Sequence, residues 1–172
     1  YSIEVADSSF VDLHPSPSFD FFAASPDSFA QRIEIRNSRF SDVSGHVIAT
    51  RAHDHNDALY AIERLEISGS EFHNIGQVAD LFRGGRDEST FGPRFTMTQS
   101  IVTGSGRASG ASVRLVGVLF TNISNNRFSG SGSVELTHGV GAPKTVVADN
   151  TFLDTAPPVV HELYAKGTGA PR

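Results

Sequence analysis

The chain has 172 residues, 38% hydrophobic and 19% charged, a composition that suits one domain with a buried core and is neither membrane-like nor disordered. Its formal net charge of −5 argues against nucleic acid as the main partner, and an acidic polysaccharide would have to be held by local Arg and Lys side chains. There is no cysteine, which removes disulfides and thiolate chemistry, and no apolar run approaches the roughly 18 residues of a membrane span.

A six-residue motif recurs along the chain. The copies are VADSSF (5–10), IRNSRF (35–40), ISGSEF (67–72), MTQSIV (97–102), ISNNRF (123–128) and VADNTF (147–152). The first position is apolar, the fourth is Ser or Asn, and the sixth is Phe except for Val102. The third position mostly holds residue types that tolerate a left-handed turn. The copies start 30, 32, 30, 26 and 24 residues apart, spacings that are typical of a solenoid.

Each copy lies between two strand patterns. The alternating segments SIEV, RIEI, RLEI and RFTM precede four of the copies, and alternation predicts a strand with one buried face. Second apolar runs follow most copies: HVIAT (46–50), VADLF (78–82), VRLVGV (113–118), SVELT (133–137) and VVHELY (159–164). Each unit therefore predicts a strand, a turn, a Phe, a short connection and a second strand, with no helix.

Units of this length predict an all-β, right-handed parallel β-helix of about six coils that occupies 1–172 as a single domain. Equivalent Phe, Val and Ile side chains would stack as internal ladders, and Ser or Asn at the turns would hydrogen-bond to buried backbone. A β-sandwich is the alternative, although two-residue hairpin turns are more typical of its strands. The segment SIEV offers no cap for a first coil, which favours further coils before it.

The segment LFRGGRDESTFGP (81–93) is the most unusual stretch of the sequence. Arg83 and Arg86 could bind carboxylates of a ligand in bidentate fashion. Alternatively, they pair with Asp87 and Glu88 in an ion-pair network that fixes a turn, faces a second subunit or binds an ion. The local balance of two Arg and two carboxylates favours the structural network.

The segment HVIATRAHDHNDALY (46–60) supplies the second set of candidates. His53 and His55 would point the same way on a strand, but zinc requires a third ligand that the sequence does not provide. A polar loop between coils is the favoured interpretation, with substrate or subunit contact as the alternative. Lys144 lies in the Gly/Pro-rich stretch GVGAPKT (139–145), and we expect it to face solvent, away from any groove.

The segment DLFRGGRDESTFGPRFTMTQSIV (80–102), together with the NNRF and DNTF units, resembles the C-terminal β-helical domain of polysaccharide lyase family six. That family contains alginate lyases and chondroitinase B. The resemblance extends over most of the chain and implies that this is the C-terminal part of a longer, two-helix lyase.

The resemblance also implies a chemistry, which belongs to the other helix of that family. There, a Lys base and an Arg acid act beside a calcium ion held by Asn and Glu side chains, and the chain is cleaved by β-elimination. No stretch of this sequence matches that arrangement, so we expect no catalytic residue and no calcium site here. The substrate-binding candidates are Arg83, Arg86, Asp87, Glu88, His53 and His55.

The partners that follow from the resemblance are an acidic polysaccharide, the N-terminal catalytic β-helix and a second copy in a homodimer. Alginate is the favoured polysaccharide, with a chondroitin-type glycosaminoglycan as the alternative. The expected location is secreted or periplasmic. Neither nucleic acid nor a membrane span is expected. A non-catalytic carbohydrate-binding or assembly β-helix is the alternative function.

Overall fold

A computed structural model describes residues 1–14, 22–24, 30–50, 62–82, 93–138 and 144–162, with backbone alone for 22–24. These residues form strands and turns without a helix. The strands are β1 (Ser2–Ala6), β2 (Ser9–Leu13), β3 (Phe22–Ala24), β4 (Arg32–Arg36), β5 (Arg39–Thr50), β6 (Arg64–Ser68), β7 (Glu71–Phe82), β8 (Arg94–Thr98), β9 (Ile101–Thr103), β10 (Ala111–Val116), β11 (Phe120–Ser124), β12 (Arg127–Ser129), β13 (Ser133–His138), β14 (Lys144–Ala148), β15 (Thr151–Leu153) and β16 (Val159–Glu162).

The strands form two parallel sheets that wind as a solenoid. Sheet 1 has six strands in the order β1-β4-β6-β8-β11-β14, one from each repeat unit. Sheet 2 has ten strands and consists of two faces, because β5 and β7 each run through both. The predicted parallel β-helix is therefore confirmed. The expected short connection after Phe40 and Phe72 is instead continuous strand in β5 and β7.

The bend between the two faces of sheet 2 depends on two glycines. The pairing of β5 with β7 shifts register between Val43 and His46. A Cβ atom on Gly76 would collide with the backbone carbonyl of Gly45. The close approach of these two backbones thus requires glycine at position 76.

The core is built from the ladders that the repeat predicts. Ile35 pairs with Ile67, and Ile67 pairs with Met97, at the first motif position in sheet 1. At the sixth position, the rings of Phe40 and Phe72 stack with centroids 5.6 Å apart. These side chains are fully buried, and each buried Phe or Ile stabilises the fold by roughly 1.5–3 kcal/mol.

The third motif position is a left-handed turn in every copy. The φ angles lie between 48° and 58°, at Asp7, Asn37, Gly69, Gln99, Asn125 and Asp149. This conformation costs a non-glycine residue roughly 1–2 kcal/mol, and Asn and Asp tolerate it best. The prediction of a left-handed turn from the residue types is confirmed.

The fourth motif position forms a hydrogen-bonded ladder along the solenoid. The backbone N–H of Ser38 donates to Oγ of Ser70 at 3.1 Å, and that of Ser70 to Oγ of Ser100 at 3.2 Å. The N–H of Ser100 donates to Oδ1 of Asn126 at 2.9 Å, and that of Asn126 to Oδ1 of Asn150 at 2.9 Å. Each side chain therefore satisfies a turn amide of the preceding coil, as predicted.

A second ladder, which the sequence analysis missed, lies five residues further along the later coils. The N–H of Ile75 donates to Oγ of Ser105 at 3.1 Å, that of Ser105 to Oγ of Ser131 at 3.2 Å, and that of Ser131 to Oγ1 of Thr155 at 3.1 Å. Gly104 and Gly130, immediately before two of these residues, also have positive φ. The repeated Gly-Ser pairs, Gly104-Ser105 and Gly130-Ser131, are the sequence signal that could have predicted this second ladder.

Replacing Asn126 by Ala should destabilise the fold by about 1–3 kcal/mol, because the buried N–H of Ser100 loses its acceptor. Asn126 is 3% exposed and also donates to the carbonyl oxygen of Met97 at 2.9 Å. Chemical denaturation measures the change in unfolding free energy. Asn122→Ala, on the outward face of the same coil, is the control and should cost less than half as much.

Replacing Asn74 by Gly should raise the pKa of the Asp42 carboxyl toward its ordinary value. Hydrogen bonds from Asn74 (2.7 Å) and from Ser41 (2.9 Å) lower that pKa. Their stabilisation is present above the ordinary carboxyl pKa and is lost as the pH falls through the lowered one. Glycine keeps the positive φ of position 74. A carboxyl NMR titration measures the shift, and an unchanged pKa would contradict this assignment.

Candidate functional site

The residues that the sequence singled out lie outside the described part of the chain. This applies to Arg83, Arg86, Asp87, Glu88, His53 and His55. The strand ends that flank their segments are described and lie side by side: the N–H of Phe82 donates to Oγ1 of Thr50 at 2.7 Å. After the two segments, the N–H of Arg94 donates to the carbonyl oxygen of Glu63 at 2.8 Å. Both segments therefore connect the same faces on consecutive coils.

The outward face of sheet 1 begins with a charge-compensated half. Arg32 contacts Glu66 at 2.6 Å and Glu34 at 2.9 Å, while Arg36 contacts Glu4 at 2.7 Å. The hydrogen bond from Arg32 to Glu66 raises the pKa of the Arg32 guanidinium above its ordinary value, and the bond to Glu4 does the same for Arg36. On β1, β4 and β6, basic and acidic side chains thus neutralise one another.

The other half of this face carries cations without matching acids. The outward positions of β8, β11 and β14 hold no Asp or Glu. Arg94 lies beside Arg64 in one row of the sheet, and Phe120 lies between Arg94 and Lys144 in the same row. Glu66, the nearest acid along the sheet, contacts Arg32 at 2.6 Å and lies 3.9 Å from Arg64, so it serves both arginines. This half of sheet 1 is therefore locally positive on a chain of net charge −5.

A groove of about 400 Å³ opens on this cationic half. Its lining includes Arg64, Glu66, Arg94, Phe120, Asn122 and Lys144. The guanidinium carbon of Arg94 lies 4.5 Å from the centroid of the Phe120 ring, and Nζ of Lys144 lies 5.8 Å from it. Both distances suit cation–π contacts, so the ring separates and positions the two cations. We call this surface, formed by Arg64, Arg94, Phe120 and Lys144, the cationic groove.

The sequence analysis missed the cationic groove, although its signal was present. Arg64 and Arg94 open the segments RLEI and RFTM, which were interpreted only for their alternating apolar residues. The expectation that Lys144 faces away from any groove is wrong. Lys144 is the first residue of β14 and pairs with Phe120 of β11. Its side chain therefore lines the groove.

A second polar row crosses the outward side of sheet 2. Nε2 of His46 lies 2.9 Å from Oε1 of Gln77, and Asp80 lies 3.9 Å from both His46 and Arg114. Arg114 continues the row to Glu135 at 3.6 Å. The charges of Asp80, Arg114 and Glu135 alternate from strand to strand in this row, which is the arrangement of a network that stabilises neighbouring strands.

The described residues contain no group of three His, Asp or Glu side chains placed to share one metal ion. The carboxylates of sheet 1 contact arginines instead. Within the same residues, no helix is long and apolar enough to cross a membrane.

The comparison with solved structures finds the PL6 family alginate lyase AlyGC. One AlyGC structure matches with a TM-score of 0.89 and 34% identity over 95% of this chain. A point mutant of the same lyase matches with a TM-score of 0.83 and 33% identity over 92% of this chain. This chain has a PL6 polysaccharide lyase-like fold. The predicted resemblance to that family is confirmed.

The match of this PL6-like chain covers 23% of the AlyGC chain. Most of the length of that lyase therefore has no counterpart among these 172 residues. Neither the family models nor the curated proteins give a match.

The cationic groove of the PL6-like fold generates a prediction about energetic coupling. A double-mutant cycle of Arg94→Met with Phe120→Leu should give a coupling energy of about 0.5–1 kcal/mol, as expected for an exposed cation–π pair. The energies come from chemical denaturation of the four proteins. The cycle of Arg36→Met with Phe120→Leu is the control and should show no coupling. Equal coupling in both cycles would mean that the ring does not hold Arg94.

Proposed function

We propose that this chain is the C-terminal, non-catalytic β-helix of a longer polyuronate lyase that cleaves alginate by β-elimination. The observation that carries the proposal is the superposition of 95% of this chain on a segment of an alginate lyase at a TM-score of 0.89. A sequence identity of 34% accompanies it. The fold alone would not indicate a substrate, but fold and identity together support the same class of enzyme.

The chemistry of β-elimination favours a structural role for this chain, with catalysis in another part of the longer protein. The C5 proton of a uronate is weakly acidic, so the neighbouring carboxylate must be neutralised before a base can remove it. A bound calcium ion would supply that neutralisation in the longer protein. Among the described residues, Glu4, Glu34 and Glu66 of sheet 1 each contact an arginine. We place the base, the acid and the calcium ion in the N-terminal β-helix.

In this proposal the chain stabilises the catalytic helix, and its segments 51–61 and 83–92 line the substrate groove or a homodimer interface. Arg83, Arg86, Asp87, Glu88, His53 and His55 remain the candidates for those contacts. The protein would be secreted or periplasmic, where it meets polymeric alginate. A chondroitin-type glycosaminoglycan is the alternative substrate, because it too contains uronates, which form every second sugar of its chain.

The 172-residue chain should release no unsaturated uronate ends from alginate in the presence of calcium. The measurement is the ultraviolet absorbance of those ends, with an active alginate lyase as the positive control and chondroitin sulfate as a second substrate. Circular dichroism should show a folded β-protein in the same sample. A rise in absorbance that is abolished by Lys144→Ala would contradict the proposal and make Lys144 the base.

The supporting role has a direct test in the longer protein that carries this chain. Deleting residues 1–172 should lower its melting temperature and leave residual cleavage of short oligouronates. Complete retention of the melting temperature would contradict a stabilising role.

A further inference from the structure

The two halves of the outward face of sheet 1 differ in charge, and the stability of the fold does not require this difference. In its first half each arginine lies within 4 Å of a carboxylate: Arg32 is 2.6 Å from Glu66, Arg36 is 2.7 Å from Glu4 and Arg64 is 3.9 Å from Glu66. In the second half, Arg94 and Lys144 contact the ring of Phe120 instead. The strands of that half carry no acidic residue at all. The second half is therefore suited to an anion supplied from outside the chain.

The cations that line the groove lie in one row across the strands. Neighbouring strands of a sheet are about 4.8 Å apart. Arg64 and Arg94 lie on adjacent strands, while Arg94 and Lys144 lie two strands apart, with Phe120 between them. One strand spacing is close to the length that a single pyranose ring adds to a 1,4-linked chain. The row thus suits a linear chain of anionic sugars that crosses the strands.

The groove provides both the space and the hydrogen-bonding groups for such a ligand. Its volume of about 400 Å³ accommodates a short oligosaccharide rather than one small ion. Thr96 and Asn122 line it in the next outward row of the sheet, half-buried. Their hydroxyl and amide groups match the hydroxyls of a sugar. The exposed guanidinium of Arg64 suits bidentate binding of a carboxylate.

We propose that the cationic groove binds an acidic oligosaccharide, with the uronate carboxylates of neighbouring sugars at Arg64 and Arg94 and that of the second sugar beyond Arg94 at Lys144. The choice of a uronate rather than another linear polyanion rests on the proposed function. In this assignment the ring of Phe120 does not stack on a sugar, because Arg94 and Lys144 occupy its surroundings. It holds the two cations apart at a fixed distance. The groove is a binding site only, and it performs no chemistry.

Isothermal titration calorimetry of the 172-residue chain with purified hexauronates, without calcium, tests the proposal. Binding should be detectable at low ionic strength and weaken at high salt, since exposed charges are screened. The methyl-esterified hexamer, which lacks the charges, should not bind. Arg94→Gln and Lys144→Gln should each reduce the affinity roughly fivefold, and Lys144→Arg should retain it.

Two control variants separate a specific site from general electrostatic attraction. Arg36→Gln causes the same change in net charge as Arg94→Gln but lies in the compensated half, so it should change the affinity less than twofold. Glu66→Gln removes the carboxylate that lines the groove and should increase the affinity. Equal losses for Arg36→Gln and Arg94→Gln would overturn the proposal, as would absence of binding or equally strong binding of a DNA duplex.

The calorimetry tests the binding site and the cleavage assay tests the non-catalytic role, so one claim can be wrong while the other holds. Loss of uronate binding would remove the groove as a site and leave the supporting role in a lyase unaffected. Release of unsaturated ends by this chain would overturn the non-catalytic role, yet the affinity ranking of the five variants would still decide whether the groove binds the substrate. Circular dichroism of each variant confirms that a lost affinity reflects the side chain and not the fold.

Discussion

The hydrogen bond on which the solenoid depends joins a turn amide of one coil to a side chain of the next. A parallel coil has to reverse direction without a hairpin, so its turns bury backbone N–H groups that no strand can pair. Ser70, Ser100 and Asn126 each accept such an N–H at 2.9 to 3.2 Å. The left-handed residue just before each of them turns the chain at the correct point. Because an unpaired buried amide is costly, this ladder fixes the register of every coil.

That register decides what the outward face of sheet 1 presents. Once Ile67 lies beside Met97, Arg64 has to lie beside Arg94, because the two pairs belong to the same strands. The inward residues are constrained by packing, whereas the outward ones are free to differ from coil to coil. Along the sheet they change from alternating Arg and Glu to Arg, Phe and Lys. The same repeat that builds the core therefore presents a row of cations at one end of the sheet.

The sequence predicted the features that local residue types determine. Asn37, Gly69 and Asn125 indicated a left-handed turn, and Ser or Asn at the next position indicated a hydrogen-bonding ladder; both predictions are confirmed. The PL6-like fold followed from the repeat together with the charged segment at 81–93. These features were accessible because each is repeated within a unit, so that six copies can be compared along the chain.

Features that differ from one coil to the next were not predicted. Whether an arginine is neutralised depends on the residue one coil away, as Glu66 beside Arg32 shows. The hydroxyl ladder of Ser105 and Ser131 is confined to the later coils, where earlier ones carry Val43 or Ile75. For Lys144, the nearby Gly and Pro suggested a loop, but pairing with β11 extends the strand to it. The neutralisation of an arginine, the extent of the hydroxyl ladder and the start of β14 all depend on which residues pair between neighbouring strands, and the linear sequence does not display that pairing.

The central claim is that a non-catalytic β-helix binds acidic sugar on the cationic half of sheet 1. The most direct test is the change in backbone amide NMR signals of the 172-residue chain on titration with hexauronate. The account predicts that the largest shifts occur at Arg64, Arg94, Phe120 and Lys144, with little change at Arg32 and Arg36. Shifts concentrated at residues 83–88 with none in the cationic groove would contradict it and place the sugar on the charged segment instead.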